Sequence, residues 1–238
     1  MNRRLHGYGI HTDLYEQDVE EVDSIRQNAW IGYQRKIVDD LAVSLQFADE
    51  YIHVDGKGFS NALLLEPSAY WRFAEWGSIQ VKHQIGFINY LLPLLPGPMI
   101  DRDGTFHDLG VTVFLDVPKT DLRIRAGYRH RWTFTEGGNG GFFDKDSDTF
   151  VIGATHPLPF DITADFSFTR QWDDYNGIGP AAGVGREDRV DFFSILLTRP
   201  VIPNVQIYVR YDAVNDESNA GLFDYRQDSI AAGIIWDF

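Results

Sequence analysis

A chain of 238 residues with a net charge of −14 at pH 7 can form one large all-β domain or two small domains, and its charge disfavours nucleic acid as a partner. It has no cysteine, so no disulfide holds the fold together. No run approaches the roughly 18 apolar residues of a transmembrane helix. A membrane is not excluded, because a barrel strand hides its hydrophobicity in alternation. We expect a single domain over residues 1–238 that binds no nucleic acid.

The chain opens on MNRRLHGYGI, which has basic residues but no apolar region of about 7–15 residues, so we do not interpret it as a secretory signal. If the protein works outside the cytoplasm, the chain is then either a mature form given an initiating Met or a fragment of something longer. A first strand follows around residues 4–14, with the weakest pattern of all. The register of residues 1–26 stays open.

Short turn-like stretches recur at intervals of 37 to 43 residues, with longer polar or glycine-rich stretches between them. This order of tight turn, strand, long loop and strand predicts six hairpins, or twelve strands. A period near 40 also fits a propeller blade of four short strands. Here each period holds two uninterrupted runs of 10 to 14 residues, and a bilayer crossing needs roughly 9–11 residues. The tight turns are VDD near 39, EWG near 76, PKTD near 119, LPFD near 160 and VIPN near 202.

Several predicted strands alternate apolar and polar residues, which is the period of an extended strand with two different faces. The pattern is plain in the runs that begin at Leu41, Leu109, Ile162 and Val205. Arg170 is an exception, because it falls on the apolar side of its strand. The register of residues 189–200 is not decided by their sequence.

The loop LLPLLPGPMIDRDG combines apolar residues with three prolines, which would be a liability on a solvated surface. It would fold into the lumen as a constriction, rest on lipid or on a partner, or form a rigid cap against neighbouring loops. The constriction candidates are Leu94, Leu95, Pro96 and Pro98.

The other long loops hold many acids. DKDSD and DRDG resemble fragments of calcium loops, but neither continues into the full ligand spacing with a terminal Glu. We therefore expect solvated loops and no metal site, with divalent ions bound only as a surface effect. The seven histidines are scattered, and His83 and His130 fall in the outward phase. We expect no catalytic residues, no cofactor and no enzymatic activity.

Aromatic residues cluster at two levels along the predicted strands, as in the interfacial belts of membrane proteins. The two clusters are Trp71, Phe73 and Trp76 near one rim, and Trp132, Phe134, Trp172 and Tyr175 near the other.

The chain ends on SIAAGIIWDF, in which every second residue back from Phe238 is apolar. Through Ile234, Trp236 and Phe238 this ending resembles the C-terminal signal that bacterial outer-membrane β-barrels present to their assembly machinery. Together with the strand pattern, the resemblance covers essentially the whole chain. It implies a closed antiparallel up-and-down transmembrane β-barrel of about 12 strands, with the last strand closing against the first. It also implies outer-membrane lipid, lipopolysaccharide and the barrel-assembly machinery as partners.

Two families of such barrels look similar in size and organisation. The strand count resembles the twelve-stranded porins for acidic oligosaccharides, whose lumen carries arginine tracks. The absence of a signal also resembles the C-terminal barrel of export proteins that carry helical repeats in the periplasm. That second resemblance implies a periplasmic partner or an upstream domain.

The stretch DLRIRAGYRHRW is the most charged of the predicted strands, and its four arginines share the inward phase. They would form a track of guanidinium forks for anionic solutes. The alternative is a network in which inward acids pair with them and brace the lumen. The residues concerned are Arg123, Arg125, Arg129 and Arg131, then Arg72, Lys82 and Arg210, with the acids Glu66, Asp116, Asp165, Asp173 and Asp212.

These observations predict a passive pore, or the pore of an export system, in the bacterial outer membrane, with a preference for anions such as acidic saccharides. A structural or adhesive anchor with a plugged lumen and acidic surface loops is the second hypothesis. A soluble β-barrel or propeller is the third.

Overall fold

The computed structural model describes residues 2–13, 24–54, 57–91, 103–135, 144–178, 185–220 and 224–236, and within these ranges it describes side chains from residue 27 to residue 234. Twelve strands form one sheet in chain order, and each consecutive pair is antiparallel. The strands are β1 (Asn2–Asp13), β2 (Ser24–Val38), β3 (Leu41–Val54), β4 (Lys57–Ala74), β5 (Gly77–Tyr90), β6 (Gly104–Asp116), β7 (Arg123–Thr135), β8 (Lys145–Leu158), β9 (Ile162–Ile178), β10 (Gly185–Ile202), β11 (Val205–Ser218) and β12 (Tyr225–Trp236).

The two faces of the sheet differ as the alternation predicts. One face, which we call the outer face, carries large apolar side chains that are exposed, among them Ile31, Ile230 and Ile234 with 63%, 78% and 70% of their surface accessible. A soluble sandwich or propeller buries such residues in a core. On β11 the apolar outer residues run from Val205 to Ala213, which is roughly 27 Å along the strand and about 20 Å along the membrane normal once the strand is tilted. With its side chains this band is close to the roughly 25 Å apolar band of outer-membrane barrels.

The other face, which we call the inner face, is polar and concave. One cavity on this face is lined by residues of six consecutive strands, from Glu66 on β4 to Thr169 on β9, so these strands curve around it. The large buried hydrophobic residues that fill a soluble core are scarce, since Phe106 is the largest apolar side chain that is buried among the described residues. Polar alternation inside and apolar alternation outside are the signature of a wet, lipid-embedded barrel.

The predicted tight turns lie where the sequence places them, for example at Asp39–Asp40 between β2 and β3. Three turns need left-handed backbone at non-glycine residues: φ is 65° at Lys119, 67° at Phe160 with 59° at Asp161, and 65° at Asn204. Consecutive positive φ values are typical of hairpin turns whose twist matches the flanking strands. Short turns therefore define one edge of the barrel, and the long loops define the other.

The structure decides the register that the sequence left open on β10. Phe193, Ile195 and Leu197 belong to the outer face, and Ser194 and Leu196 to the inner face. β1 pairs with β2 along its whole length, from Asn2 opposite Arg35 to Asp13 opposite Ser24. Strands reach 18 residues, longer than predicted, because they continue past the apolar band on the loop side.

The sequence predicts that the last strand closes against the first, and the structure does not show that seam. Among the described strands, contacts join consecutive strands only, and β12 makes none with β1. The backbone groups along these two edges are the ones that a lipid-embedded cylinder has to pair, because hydrocarbon offers them no partner. No helix among the described residues is long and apolar enough to cross a membrane.

The aromatic clusters are confirmed with one correction. Trp71, Phe73 and Trp76 lie together at the short-turn edge, with ring centroids 6.1 and 5.8 Å apart in successive edge-on contacts. The prediction for Tyr175 is wrong: it lies on the inner face, opposite Lys145, because its odd position on β9 is out of phase with Trp172. On the loop side, Trp132, Phe134 and Trp172 are exposed on the outer face.

Several predicted residues fall outside what the structure describes. Phe238 and the four constriction candidates Leu94, Leu95, Pro96 and Pro98 lie beyond the described ranges, and for Trp236 only the backbone is described. Of the assembly signal, Ile234 is seen on the outer face, paired with Ile207 of β11. The roles of these residues stay predictions.

Candidate functional site

The four arginines of β7 share the inner face of the sheet. Tyr128 and Trp132, between and beyond them, are exposed on the outer face. Antiparallel pairing sets each arginine beside small or polar residues of β8, from Thr155 opposite Arg123 to Ser147 opposite Arg131. The arginines therefore form a ladder along the barrel wall.

Arg125 is paired in both of its fork positions. Its two terminal nitrogens donate to Asp165 at 2.7 and 2.8 Å, although Asp165 lies two strands away on β9. The guanidinium crosses β8 above Gly153, where an added Cβ would lie 2.8 Å from its Cζ atom. Thr155 also donates to Asp165, at 2.5 Å. The Arg125 side chain can cross β8 to reach Asp165 because Gly153 has no side chain.

Arg129 and Arg131 share one carboxylate. Asp108 on β6 accepts from Arg131 at 2.7 and 3.0 Å, and Arg129 Nε is 3.5 Å from the same Asp108 oxygen. The Asp108 side chain is 7% exposed, whereas that of Arg129 is 42% exposed. Two guanidinium groups thus share one negative charge, and the one held less closely faces open space.

Asp108 was not among the residues predicted from the sequence. Its even position on β6 puts it in the same phase as Asp116, which was included, and directly opposite Arg131. Strict counting along β6 would have identified it. Asp116 itself lies 3.5 Å from Arg123, whose guanidinium also lies 4.8 Å above the ring of Phe114.

The remaining predicted cations also have acidic neighbours. Lys82 donates to Glu66 at 2.9 Å. Arg210 donates to Asp212, two residues along the same strand, at 2.8 Å. Arg72 lies at the short-turn rim and donates through two nitrogens to Asp40 at 2.8 and 3.0 Å, so it is not part of the ladder.

A cavity of about 390 Å³ lies halfway along the inner face, beside Arg129. Its floor includes Gly110 and Gly127, which carry no side chain and so leave room above the strands. Lys82 and Thr149 line the same cavity and supply further hydrogen-bond donors. A second cavity lies toward the short turns, beside Tyr70, Phe114, Arg123 and Arg125.

The inner face of the later strands has a different composition. Lys145 donates to Asp173 at 2.5 Å and lies 5.3 Å above the Tyr175 ring. Asp173 is directly opposite Asp188 across the β9–β10 pair, and both are buried. On β11, Asp216 has a buried carboxylate oxygen, Oδ1, without a hydrogen-bond partner among the described residues. Carboxylates are crowded together here.

We call the inner face of β4–β7 the arginine wall and that of β8–β11 the acidic wall. The arginine wall has six basic and three acidic side chains, and the acidic wall has three basic and five acidic ones. The charge on the inner face is therefore distributed unequally between β4–β7 and β8–β11. The residues are Arg72, Lys82, Arg123, Arg125, Arg129, Arg131, Glu66, Asp108 and Asp116 on the arginine wall, and Lys145, Arg186, Arg210, Asp165, Asp173, Asp188, Asp212 and Asp216 on the acidic wall.

The acidic stretch DKDSD does not form a cluster. Asp144 accepts from the backbone and hydroxyl of Thr135, and Asp148 lies on the outer face, where Tyr128 and His130 contact it at 2.5 and 2.8 Å. In the part of the chain that the structure describes, no group of three or more His, Asp or Glu side chains is arranged to hold a metal ion. The absence of catalysis, metal and cofactor remains a prediction.

One titratable group belongs to the short turns outside the strands. Asp39 accepts a hydrogen bond from Lys36 at 2.6 Å, and this bond, with the attraction between their charges, holds the pKa of the Asp39 carboxyl below its usual value. Both groups are exposed, so the pair contributes little to stability.

No protein-family model matches the chain, and no curated protein matches it. Solved structures do match. The NanC porin is 12% identical with a TM-score of 0.56, over 90% of this chain and 94% of that porin. In-vitro folded OmpT, an outer membrane protein of Vibrio cholerae, is 10% identical with a TM-score of 0.53, over 99% of this chain and 97% of OmpT.

The translocator domain of the autotransporter NalP from Neisseria meningitidis is 14% identical with a TM-score of 0.49, over 100% of this chain and 87% of that domain. At identities this low, likeness concerns the fold. The matches to NanC and OmpT confirm the all-β, antiparallel, up-and-down class that the sequence predicts.

Proposed function

The chain has the fold of the bacterial outer-membrane β-barrels, and on that premise we propose that it forms a passive pore that favours small anions such as acidic saccharides. Selection takes place at the arginine wall. Arg129 is the first contact for the solute, with Lys82 and Thr149 beside it. No covalent chemistry is involved, because binding has to be weak enough for the solute to leave again.

One observation carries this proposal: Arg129 and Arg131 share Asp108, so the cavity beside Arg129 has a positive charge that is not fully neutralised. A guanidinium beside a carboxylate or phosphate forms charge-assisted hydrogen bonds that a lysine point charge matches less well. Arg125 and Arg131 are held more closely, by Asp165 and Asp108, and Arg123 lies 3.5 Å from a carboxylate that it does not share, Asp116. Arg129 is therefore the residue with most to offer a solute.

The test is single-channel recording of the purified protein in planar bilayers. Under a salt gradient, the reversal potential gives the permeability ratio of anion to cation. We expect Arg129→Gln to lower that ratio at least about twofold while leaving a conducting channel, because a fixed lumen charge biases which ion enters. Substituting all four β7 arginines should lower it further.

Arg199→Gln is the matched control, since Arg199 is an exposed arginine on the outer phase of β10 at the short-turn edge. It removes the same charge from the protein without touching the lumen. A reversal potential that responds equally to both substitutions, or to neither, would remove the proposed selectivity.

A second candidate is a structural or adhesive anchor. The bidentate bridge from Arg125 to Asp165 over Gly153 favours it, because such pairs brace a small lumen. This candidate predicts no single-channel conductance from correctly folded protein. If conductance is present, a periplasmic domain encoded upstream in the same reading frame would point to an exporter pore, and a signal peptide alone to a porin.

A further inference from the structure

The outer face carries arginines at the loop-side edge of its apolar band on β9 and β10. Arg170 on β9 donates to Asp191 on β10 at 2.6 and 2.9 Å. Arg189 on β10 donates to Glu217 on β11 at 2.5 Å. Trp172 lies between the two arginines, directly opposite Arg189, and is 41% exposed. We call Arg170, Trp172 and Arg189 the rim cluster.

Each guanidinium keeps part of its donor set unused. Asp191 engages Nε and Nη2 of Arg170, and Glu217 engages only Nη2 of Arg189. Arg189 Nε is buried and has no acceptor among the described residues, so the donors that Arg189 offers at the surface are those of its terminal nitrogens. The side chains of Arg170 and Arg189 are 39% and 42% exposed. The carboxylates therefore hold the two forks in place without saturating them.

The surface directly below the rim cluster is apolar. Phe166 and Phe168 on β9 and Phe193 and Leu197 on β10 are each between 37% and 42% exposed on the outer face. The Arg170 guanidinium lies 5.7 Å from the centroid of the Phe168 ring. The hydrogen-bond donors of the rim cluster therefore lie above an apolar surface. A lipid in the bilayer has the same order, with its headgroup above its acyl chains.

On β3 to β5 the same level of the outer face is different. On β3 and β4 it is occupied by Asp49, which accepts from Asn61 at 2.9 Å, and on β5 by Asn89. A further guanidinium lies at this level on β12, where Arg226 is 78% exposed and its Nε is 3.9 Å from Asp228. The rim cluster differs from Arg226 because its two arginines are held within 3 Å of a carboxylate and flank a tryptophan, although Asp148 on β8 lies opposite that tryptophan.

From this geometry we infer that the rim cluster binds one phosphorylated glycolipid of the outer leaflet, with a lipid phosphate on Arg170 and Arg189 and acyl chains over Phe166, Phe168, Phe193 and Leu197. Planar guanidinium forks suit phosphate oxygens, and tryptophan suits the level where headgroups meet chains. The long loops lie on this side, as do the outer-leaflet phosphates. The inference rests on the barrel fold and is independent of solute selectivity in the lumen.

Native mass spectrometry of the full chain, folded in detergent, tests the inference, with diphosphoryl lipid A as the probe. We expect one retained lipid A per barrel. A neutralised variant, Arg170→Gln with Asp191→Asn, Arg189→Gln and Glu217→Gln, leaves no orphan charge and should retain about tenfold less, as expected for the loss of charge-assisted contacts. Arg199→Gln, at the opposite edge of β10, should retain lipid A fully.

A second measurement uses the unmodified protein and does not depend on any variant folding. Dephosphorylated lipid A and phosphatidylglycerol should each be retained about tenfold less than diphosphoryl lipid A, because the first lacks the phosphates and the second has one phosphate on a smaller headgroup. Equal retention of phosphatidylglycerol would reduce the site to general anion attraction and overturn the inference. Unchanged retention by the neutralised variant, or equal loss in Arg199→Gln, would also overturn it.

Discussion

The arginine wall and the acidic wall are built on the same strand geometry yet hold their charges in opposite ways. On the arginine wall, cations outnumber carboxylates, and Asp108 serves both Arg129 and Arg131. On the acidic wall, carboxylates outnumber cations, and Asp173 faces Asp188 directly across a strand pair. We therefore expect the free energy of unfolding to depend most on the less numerous charges of each wall. These are the carboxylates of the arginine wall and the cations of the acidic wall. We therefore expect the same substitution, a carboxylate to its amide, to change the free energy of unfolding in opposite directions on the two walls.

The largest expected effect comes from Asp108→Asn on the arginine wall. It leaves two neighbouring guanidinium groups without their common partner, and we expect a loss of about 2–3 kcal/mol in the free energy of unfolding, at the low end for a broken buried pair because the lumen is wet. Urea unfolding in lipid vesicles measures it. Asp116→Asn, whose ion pair is exposed, should cost less than about 0.5 kcal/mol. Equal losses of unfolding free energy from Asp108→Asn and Asp116→Asn would show that the sharing of Asp108 by two arginines is unimportant for stability.

The next effect tests the bridge that links the two walls. Gly153→Ala inserts a methyl group 2.8 Å from the Arg125 fork and 2.8 Å from the carbonyl oxygen of Phe166, so the fork and the strand both have to move, and we expect a loss of about 1–2 kcal/mol. Gly110→Ala is matched in chemistry but meets only ordinary contacts, the nearest at 3.7 Å. It should change stability by less than about 0.5 kcal/mol. A comparable loss from both would mean that backbone freedom, and not the bridge, requires glycine.

The acidic wall predicts a gain. Asp216→Asn removes one carboxylate from beside Asp188, and its buried Oδ1 forms no hydrogen bond that would be lost. We expect the free energy of unfolding to rise by up to about 1 kcal/mol, because Asp216 and the buried Asp188 repel each other at a place where little water screens them. Urea unfolding under the same conditions as for Asp108→Asn gives the comparison. A destabilised Asp216→Asn would contradict the proposed asymmetry.

The smallest effect lies outside both walls, at the short turns. Because the pKa of Asp39 is lowered in the folded state, its pairing with Lys36 stabilises the fold above the usual carboxyl pKa and is lost as the pH falls through the lowered value. NMR titration should show the Asp39 carboxyl titrating below an unpaired aspartate. Asp39→Asn should move the unfolding midpoint at neutral pH by no more than about 1 °C, because both partners are exposed.

Much of the fold was predictable because one rule, the period of two, governs every strand. Alternation placed Arg123, Arg125, Arg129 and Arg131 on one face, and the spacing of tight turns gave the strand number. The same rule, applied strictly, would also have found Asp108 and corrected Tyr175, which was grouped with Trp172 by closeness in sequence and not by phase.

The choice of partners was not predictable in the same way. Arg125 reaches Asp165 two strands away only because the register of three strands aligns them and because Gly153 leaves a gap between them. Register is set by pairing along whole strands and by bulges such as that near Glu187, and a single segment does not contain this information. Arg170 looked like an exception to the apolar pattern, and its explanation lies in Asp191 on the neighbouring strand.

The exposed apolar band of the outer face has a consequence for how this polypeptide reaches the membrane. In water, so much bare hydrocarbon surface would drive the finished cylinder into aggregates. We therefore expect the chain to cross any aqueous compartment unfolded and bound to a chaperone. Its negative net charge should keep copies apart by repulsion until they reach lipid.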